Sequence, residues 1–150
     1  SALRNRIVML CDGPLGEQRS VLESTGRDMI QQFSTHGRLN ERSSALVLEW
    51  LLSTLEIGRA VISIRRHLER ESALPDSARR ALDALRGYFA TASEAEYAVL
   101  TRRLDVVLSE LRRNLESGAG GRRSAAIADE FALIRLLVLA PETLPVAKEE

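Results

Sequence analysis

Cysteine, histidine and lysine are almost missing from this chain, and each scarcity closes a line of chemistry. A single cysteine, Cys11, allows no internal disulfide, which fits a reducing compartment. With no histidine beside it in sequence, Cys11 reads as a packed thiol rather than a nucleophile. Two histidines, His36 and His67, and that one thiol are too scattered to make a zinc site by spacing. Neither histidine follows a glutamate by three residues, so the Glu-x-x-His pairs of a di-iron bundle are absent. The one lysine, Lys148, lies far from any Gly-x-x-x-x-Gly-Lys phosphate loop. No Gly-x-Ser-x-Gly elbow exists either. On these grounds we expect no enzyme, no catalytic residue, no metal and no cofactor.

An excess of one charge is also lacking. The 21 basic and 21 acidic residues cancel to a formal net charge of zero. That leaves no electrostatic footprint for nucleic acid, and no nucleic-acid partner is expected. Long hydrophobic runs are missing too: residues 45–64 are interrupted by Glu49, Glu56 and Arg59, and residues 131–140 by Arg135. The chain opens Ser-Ala without a methionine. We therefore expect an excised fragment, whose membrane segments, if it has them, lie outside it.

What is present is helix. The stretch 40–70 holds no proline and one interior glycine, Gly58. Glu49, Ser53, Glu56, Arg59, Ser63, Arg66 and Arg70 follow one another at intervals of three and four, a single stripe on a helix. Almost everything off that stripe is apolar, including Leu46, Leu48, Trp50, Leu52, Leu55, Val61 and Ile64. A helix apolar on most of its circumference needs neighbours on most of its circumference. So a long central helix is predicted, with the rest of the chain as its coat and Trp50 in the core.

The coat reads off in order. Leu3, Ile7, Leu10 and Cys11 mark a helix over 3–12, ended by Gly13, Pro14 and Gly16. Val21, Leu22, Met29 and Ile30 line a second over 17–33, with Gly26 a tolerated small residue on its apolar side; residues 34–40, with His36, form a loop. Pro75 suits the first turn of a fourth helix that buries Ala78, Leu82, Leu85, Tyr88 and Phe89. Ser93 and Glu96 form a capping box opening a fifth, with Tyr97, Leu100, Leu104, Val107 and Leu111 as its seam. Gly118 stops it, and a sixth helix over 124–140 carries Ile127, Phe131, Ile134 and Val138. The predicted fold is all-α: an antiparallel bundle of five to six helices around the long central one. Residues 1–140 form one domain, and 141–150 a flexible tail.

Glu49 and Glu56 suggest either acids in a cleft or a solvated strip in which Glu56 pairs with Arg59, and the strip is the simpler account. Most arginine pairs are balanced by neighbouring acids. Arg65, Arg66 and Arg70 form the least balanced group, and they are the candidate contact with a partner or an anionic lipid headgroup.

Three stretches carry a resemblance. LESTGRDMIQQF at 22–33 and LEWLLSTLEIGRAVISIRR at 48–66 resemble the cytoplasmic region of the fusaric-acid-resistance (FUSC) family, bacterial inner-membrane efflux proteins that include aromatic acid exporters. The opening LRNRIV at 3–8 resembles the chain leaving the membrane to start that region. The resemblance implies a soluble cytoplasmic domain whose partners are the membrane half of the same transporter and a periplasmic adaptor reached through the parent protein; a homodimer is expected on separate grounds, the excess of apolar surface on 40–70 and 131–140. It implies export of aromatic or related organic acids and brings no catalytic or ligand motif. The residues themselves leave another class open: a free-standing helical adaptor or sensor that binds a partner helix or a small apolar ligand.

Overall fold

The computed structural model describes residues 2–13, 16, 18–36, 41–70, 74–91, 93–118 and 121–138. Six helices fill them: α1 (Ala2–Asp12), α2 (Gln18–His36), α3 (Glu41–Arg70), α4 (Asp76–Thr91), α5 (Glu94–Glu116) and α6 (Gly121–Leu137). No strand occurs among the described residues, and the all-α bundle is the predicted one. Helix α3 is the longest at 30 residues, about 45 Å at 1.5 Å per residue. Contacts run α1–α3–α6–α5–α4 and back to α1, a closed ring, with α2 laid outside on α1 and α3. Ring neighbours alternate in direction, as Ser77 on Glu110, Asp105 on Arg135 and Arg59 on Glu130 show. Five helices cannot alternate all the way round. One pair must run parallel, and it is α1 with α3, where Ile7 meets Gly58 and Leu10 meets Arg65.

The helix ends follow local chemistry. The Ser93 side chain accepts from Glu96 N at 3.1 Å, half of the predicted capping box. The Glu96 carboxylate leans instead toward Gly87 of α4, where an added Cβ would stand 2.8 Å from its Oε2. Helix α5 stops at Gly118, whose φ of 78° suits glycine and whose N–H reaches Leu115 O at 3.1 Å. Pro75 stands just ahead of α4 rather than in its first turn, its carbonyl accepting from Ala78 N. Three boundaries differ from the periodicity. Residues 34–36, expected in a loop, continue α2; α6 begins at Gly121, three residues before the predicted start, and ends at Leu137, short of the predicted end at 140. Local signals mislead there: Ser124 offers a cap inside the observed first turn of α6, and no breaker stands between Phe33 and His36 to end α2 sooner. Pro14, residues 37–40 and the expected tail at 141–150 lie outside the described residues.

The core draws on every helix. Trp50 is 2% exposed, and Tyr88, Phe131, Leu3, Ile7, Leu51, Ile64 and Leu104 are among the largest fully buried side chains. Tyr88 and Phe89 meet edge to face, with ring centroids 5.1 Å apart. One expectation about α3 fails. Leu46, Leu48 and Leu52 are 49%, 38% and 50% exposed rather than covered. At 3.6 residues per turn, position 52 falls on the line through Glu49, Glu56, Arg59 and Ser63, and half-buried Ser53 stands to one side of it.

Arg4, only 7% exposed, is the buried cation of the core. Its Nη2 and Nε donate to Tyr88 O at 3.1 Å and Phe89 O at 3.3 Å. These carbonyls belong to the last turn of α4, which has no intrahelical partner for them and carries partial negative charge. The guanidinium also stacks over the Phe89 ring, 5.1 Å from its centroid.

Glycine decides how α2 meets α3. A Cβ on Gly58 would lie 2.5 Å from Leu22 Cδ2 and 2.9 Å from Ile7 Cδ1, both fully packed side chains. A Cβ on Gly26 would meet Leu55 at 2.5 Å, and Leu55 is half-buried and free to turn outward. Overpacking of about 1–3 kcal/mol outweighs a helix-propensity gain of about 1 kcal/mol only where the neighbour cannot yield. Gly58→Ala is therefore expected to lower stability by roughly 1 kcal/mol net, and Gly26→Ala to leave it unchanged or slightly raised. Urea unfolding of both variants measures this; equal losses at the two positions would contradict it.

Candidate functional site

The exposed face of α3 carries a polar cluster toward its carboxyl end. Arg59, Ile62, Ser63, Arg66, His67 and Arg70 line a shallow depression of about 270 Å³ in its last three turns. No carboxylate is among those lining residues. Arg59 is committed elsewhere: its Nη1 and Nη2 bond the Glu130 carboxylate of α6 at 3.1 and 3.3 Å, and its Nε bonds Glu56 at 3.1 Å. The Glu130 bond is the main reason the Arg59 pKa is pushed up. Glu56 thus sits in a solvated ion pair, as the simpler account of the polar strip has it. Arg66, His67 and Arg70 make no ion pair or side-chain hydrogen bond among the described residues. The last turn of α3 suits Arg70, because a cation there is favoured by the negative end of the helix dipole.

A second depression of about 360 Å³ lies along the seam of α2 and α3. Leu22, Ile30, Leu55 and Ile62 give it an apolar floor, and Glu23, Arg27, Glu56 and Arg59 a polar rim. Arg59 and Ile62 belong to both depressions, so the two adjoin.

Arg65 is not with its two expected companions. The fold gathers Arg66 and Arg70 and turns Arg65 away, into the contact with α1. There its Nη1 donates to Leu10 O at 2.9 Å and to Gly13 O, closing the carboxyl end of α1 as Arg4 closes that of α4. Periodicity alone could have separated Arg65 from the pair, since it falls about 100° round α3 from Arg66 and about 140° from Arg70. Arg59, Ser63 and His67, which join the pair, were legible by the same spacing. The apolar seam beside them was not, because it needs the position of α2.

Arg65 also lines a mixed-charge hollow of about 430 Å³ with Cys11, Asp12, Glu69, Arg79 and Asp83. Burial, then the charge of Asp12, pushes the Cys11 thiol up to about 12. At pH 8 it is protonated, and the thiolate is the nucleophile. Alkylation of the folded chain by iodoacetamide at pH 8 should be slower than that of the urea-unfolded chain by roughly a thousandfold, the factor in thiolate between a pKa of about 12 and the ordinary thiol value of 9.0. Equal rates would show that Cys11 is reactive after all. Among the described residues, no group of three or more His, Cys, Asp and Glu side chains could hold a metal ion.

Comparison with known proteins gives one match. No curated protein and no solved structure matches the chain. The family of fusaric acid resistance proteins matches it over residues 1–144, well past the stretches at 3–70 that carry the resemblance by eye. With nearly all of its 150 residues matched, α1 through α6 included, the chain belongs to the fusaric acid resistance protein family.

Proposed function

We propose that the chain is the cytoplasmic helical domain of a bacterial inner-membrane efflux transporter that exports aromatic or related organic acids, where it serves assembly or regulation and catalyses no reaction. The family match over residues 1–144 carries this reading. Among the described residues no helix is long and apolar enough to cross a membrane, so the reading assigns passage of the substrate to other segments of the parent protein. The domain would sit at the cytoplasmic face of the membrane against the membrane half of the same transporter, and a periplasmic adaptor would join through the parent.

Leu46, Leu48 and Leu52 support a contact role, for they put apolar side chains in water on one end of α3. A second copy is an alternative occupant of that end, giving a homodimer. Leu136 of α6, 79% exposed, is a further apolar side chain in water.

In-frame removal of the codons for residues 1–144 from the chromosomal gene tests the transport reading. It should abolish growth in fusaric acid as fully as loss of the whole gene, with the shortened protein still detected in the membrane. Unchanged resistance, or a reading frame without hydrophobic spans, would overturn it. For the homodimer, equilibrium sedimentation up to roughly 100 μM should show a mass above one chain, and Leu48→Gln with Leu52→Gln should return it to one. A single-chain mass for the unmodified protein throughout that range would rule the pair out.

A further inference from the structure

We propose that the exposed face of α3 and its seam with α2 form one binding site for a small amphipathic anion. Its negative head would lie on Arg66 and Arg70, and its apolar body along Leu22, Ile30, Leu55 and Ile62.

Four observations lead there. The cationic depression and the apolar one share Arg59 and Ile62 as a common wall, so a single elongated molecule can span both. Volumes of about 270 and 360 Å³ place each near the lower limit of ligand pockets, roughly 300 Å³. Arg66 and Arg70 have no acidic partner among the described residues, whereas Arg59 between the two halves is already neutralised by Glu56 and Glu130. The uncompensated charge therefore falls at one end and not along the whole groove. Finally, Arg66 and Arg70 stand one turn apart on the same face, about 6 Å between Cβ atoms, a spacing that lets two guanidiniums share one carboxylate or phosphate. Ser63 lines the same end one turn earlier and adds a hydroxyl donor.

The head must be anionic because Arg66 and Arg70 dominate that end with no carboxylate among the lining residues, against only the Ser63 hydroxyl and the His67 imidazole as side-chain acceptors. The body must be apolar because four hydrocarbon side chains floor the other end, and polar groups laid on them would lose their water without replacement. A free molecule fits better than a lipid surface. Attraction to anionic membranes grows by about 1 kcal/mol for each unbalanced lysine or arginine, and this chain has a formal net charge of zero, with Glu49, Glu56 and Glu69 on the same helix. The site would exist whether or not the chain is part of a transporter, so its test does not depend on that reading.

Calorimetric titration of the folded chain with decanoate, kept below its micelle concentration, tests the site. Saturable binding with one molecule per chain is expected. Decyltrimethylammonium, with a similar body and opposite head, and inorganic phosphate, with the head and no body, should each bind at least roughly tenfold more weakly. Arg66→Gln with Arg70→Gln should cost decanoate roughly tenfold or more, as should Leu55→Gln, with unfolding midpoints held as the check on folding. Equal binding of decyltrimethylammonium would reduce the site to an apolar groove, and equal binding of phosphate would reduce it to a charge cluster; either overturns the proposal. So would absence of saturable decanoate binding, or capture of the chain by phosphatidylglycerol vesicles that decanoate does not reverse. If a variant fails to fold, the charge-reversed probe on the unmodified chain decides alone.

Discussion

Two helices of this bundle end where their last carbonyls face protein rather than water, and an arginine from another helix answers each. Arg4 of α1 donates to Tyr88 and Phe89 at the end of α4, and Arg65 of α3 donates to Leu10 and Gly13 at the end of α1. Leaving such acceptors without a donor costs about 1–3 kcal/mol apiece, a large share of the stability of a domain this size. The ring depends on these bonds because α1, 11 residues long, is too short to be a stable helix by itself. It is helical because Leu3, Ile7 and Leu10 are wholly buried against α3 and α4 and because its end is closed from outside. The exposed clasp of Arg86 on Asp12 adds little to that.

Much of the fold is written in spacing. Leu100, Leu104, Val107 and Leu111 recur every three or four residues, and all four are buried; the same holds for Ile127, Phe131 and Ile134 of α6 and for Val138 just after it. Such faces are legible because burial selects apolar side chains one by one. Helix ends are less so, as α2 and α6 show. Least legible are the buried arginines. Arg4 and Arg65 look like their solvated neighbours Arg6 and Arg66, since nothing in a helical repeat tells which carbonyls of a distant helix will be cut off from water. Spacing sets Arg65 off the stripe of Arg66 without showing that Leu10 and Gly13 wait for it there, and Arg4 draws no notice at all.

The face of α3 illustrates the same division. Its cations are visible as a stripe, and the stripe correctly keeps Arg66 and Arg70 in solvent. What cannot be seen is the hydrocarbon floor next to them, half of which comes from α2. That floor exists because Gly58 and Gly26 let Leu22 and Leu55 interlock at the crossing of the two helices. A residue read as merely tolerated, Gly26, turns out to be the seat of Leu55.

The position of α1 has a mechanical consequence. Its first turn is tied to α4 through Arg4, and its last turn to α3 through Leu10 and Gly13. A slide along its own axis by one residue, about 1.5 Å, strains both attachments together, so they fail in concert rather than in turn. The element is thus bolted at both ends. Helix α2 leans on the same fixture: Leu22 rests in the notch made by Gly58 and Ile7, so one wall of its seat is set by where α1 is fastened.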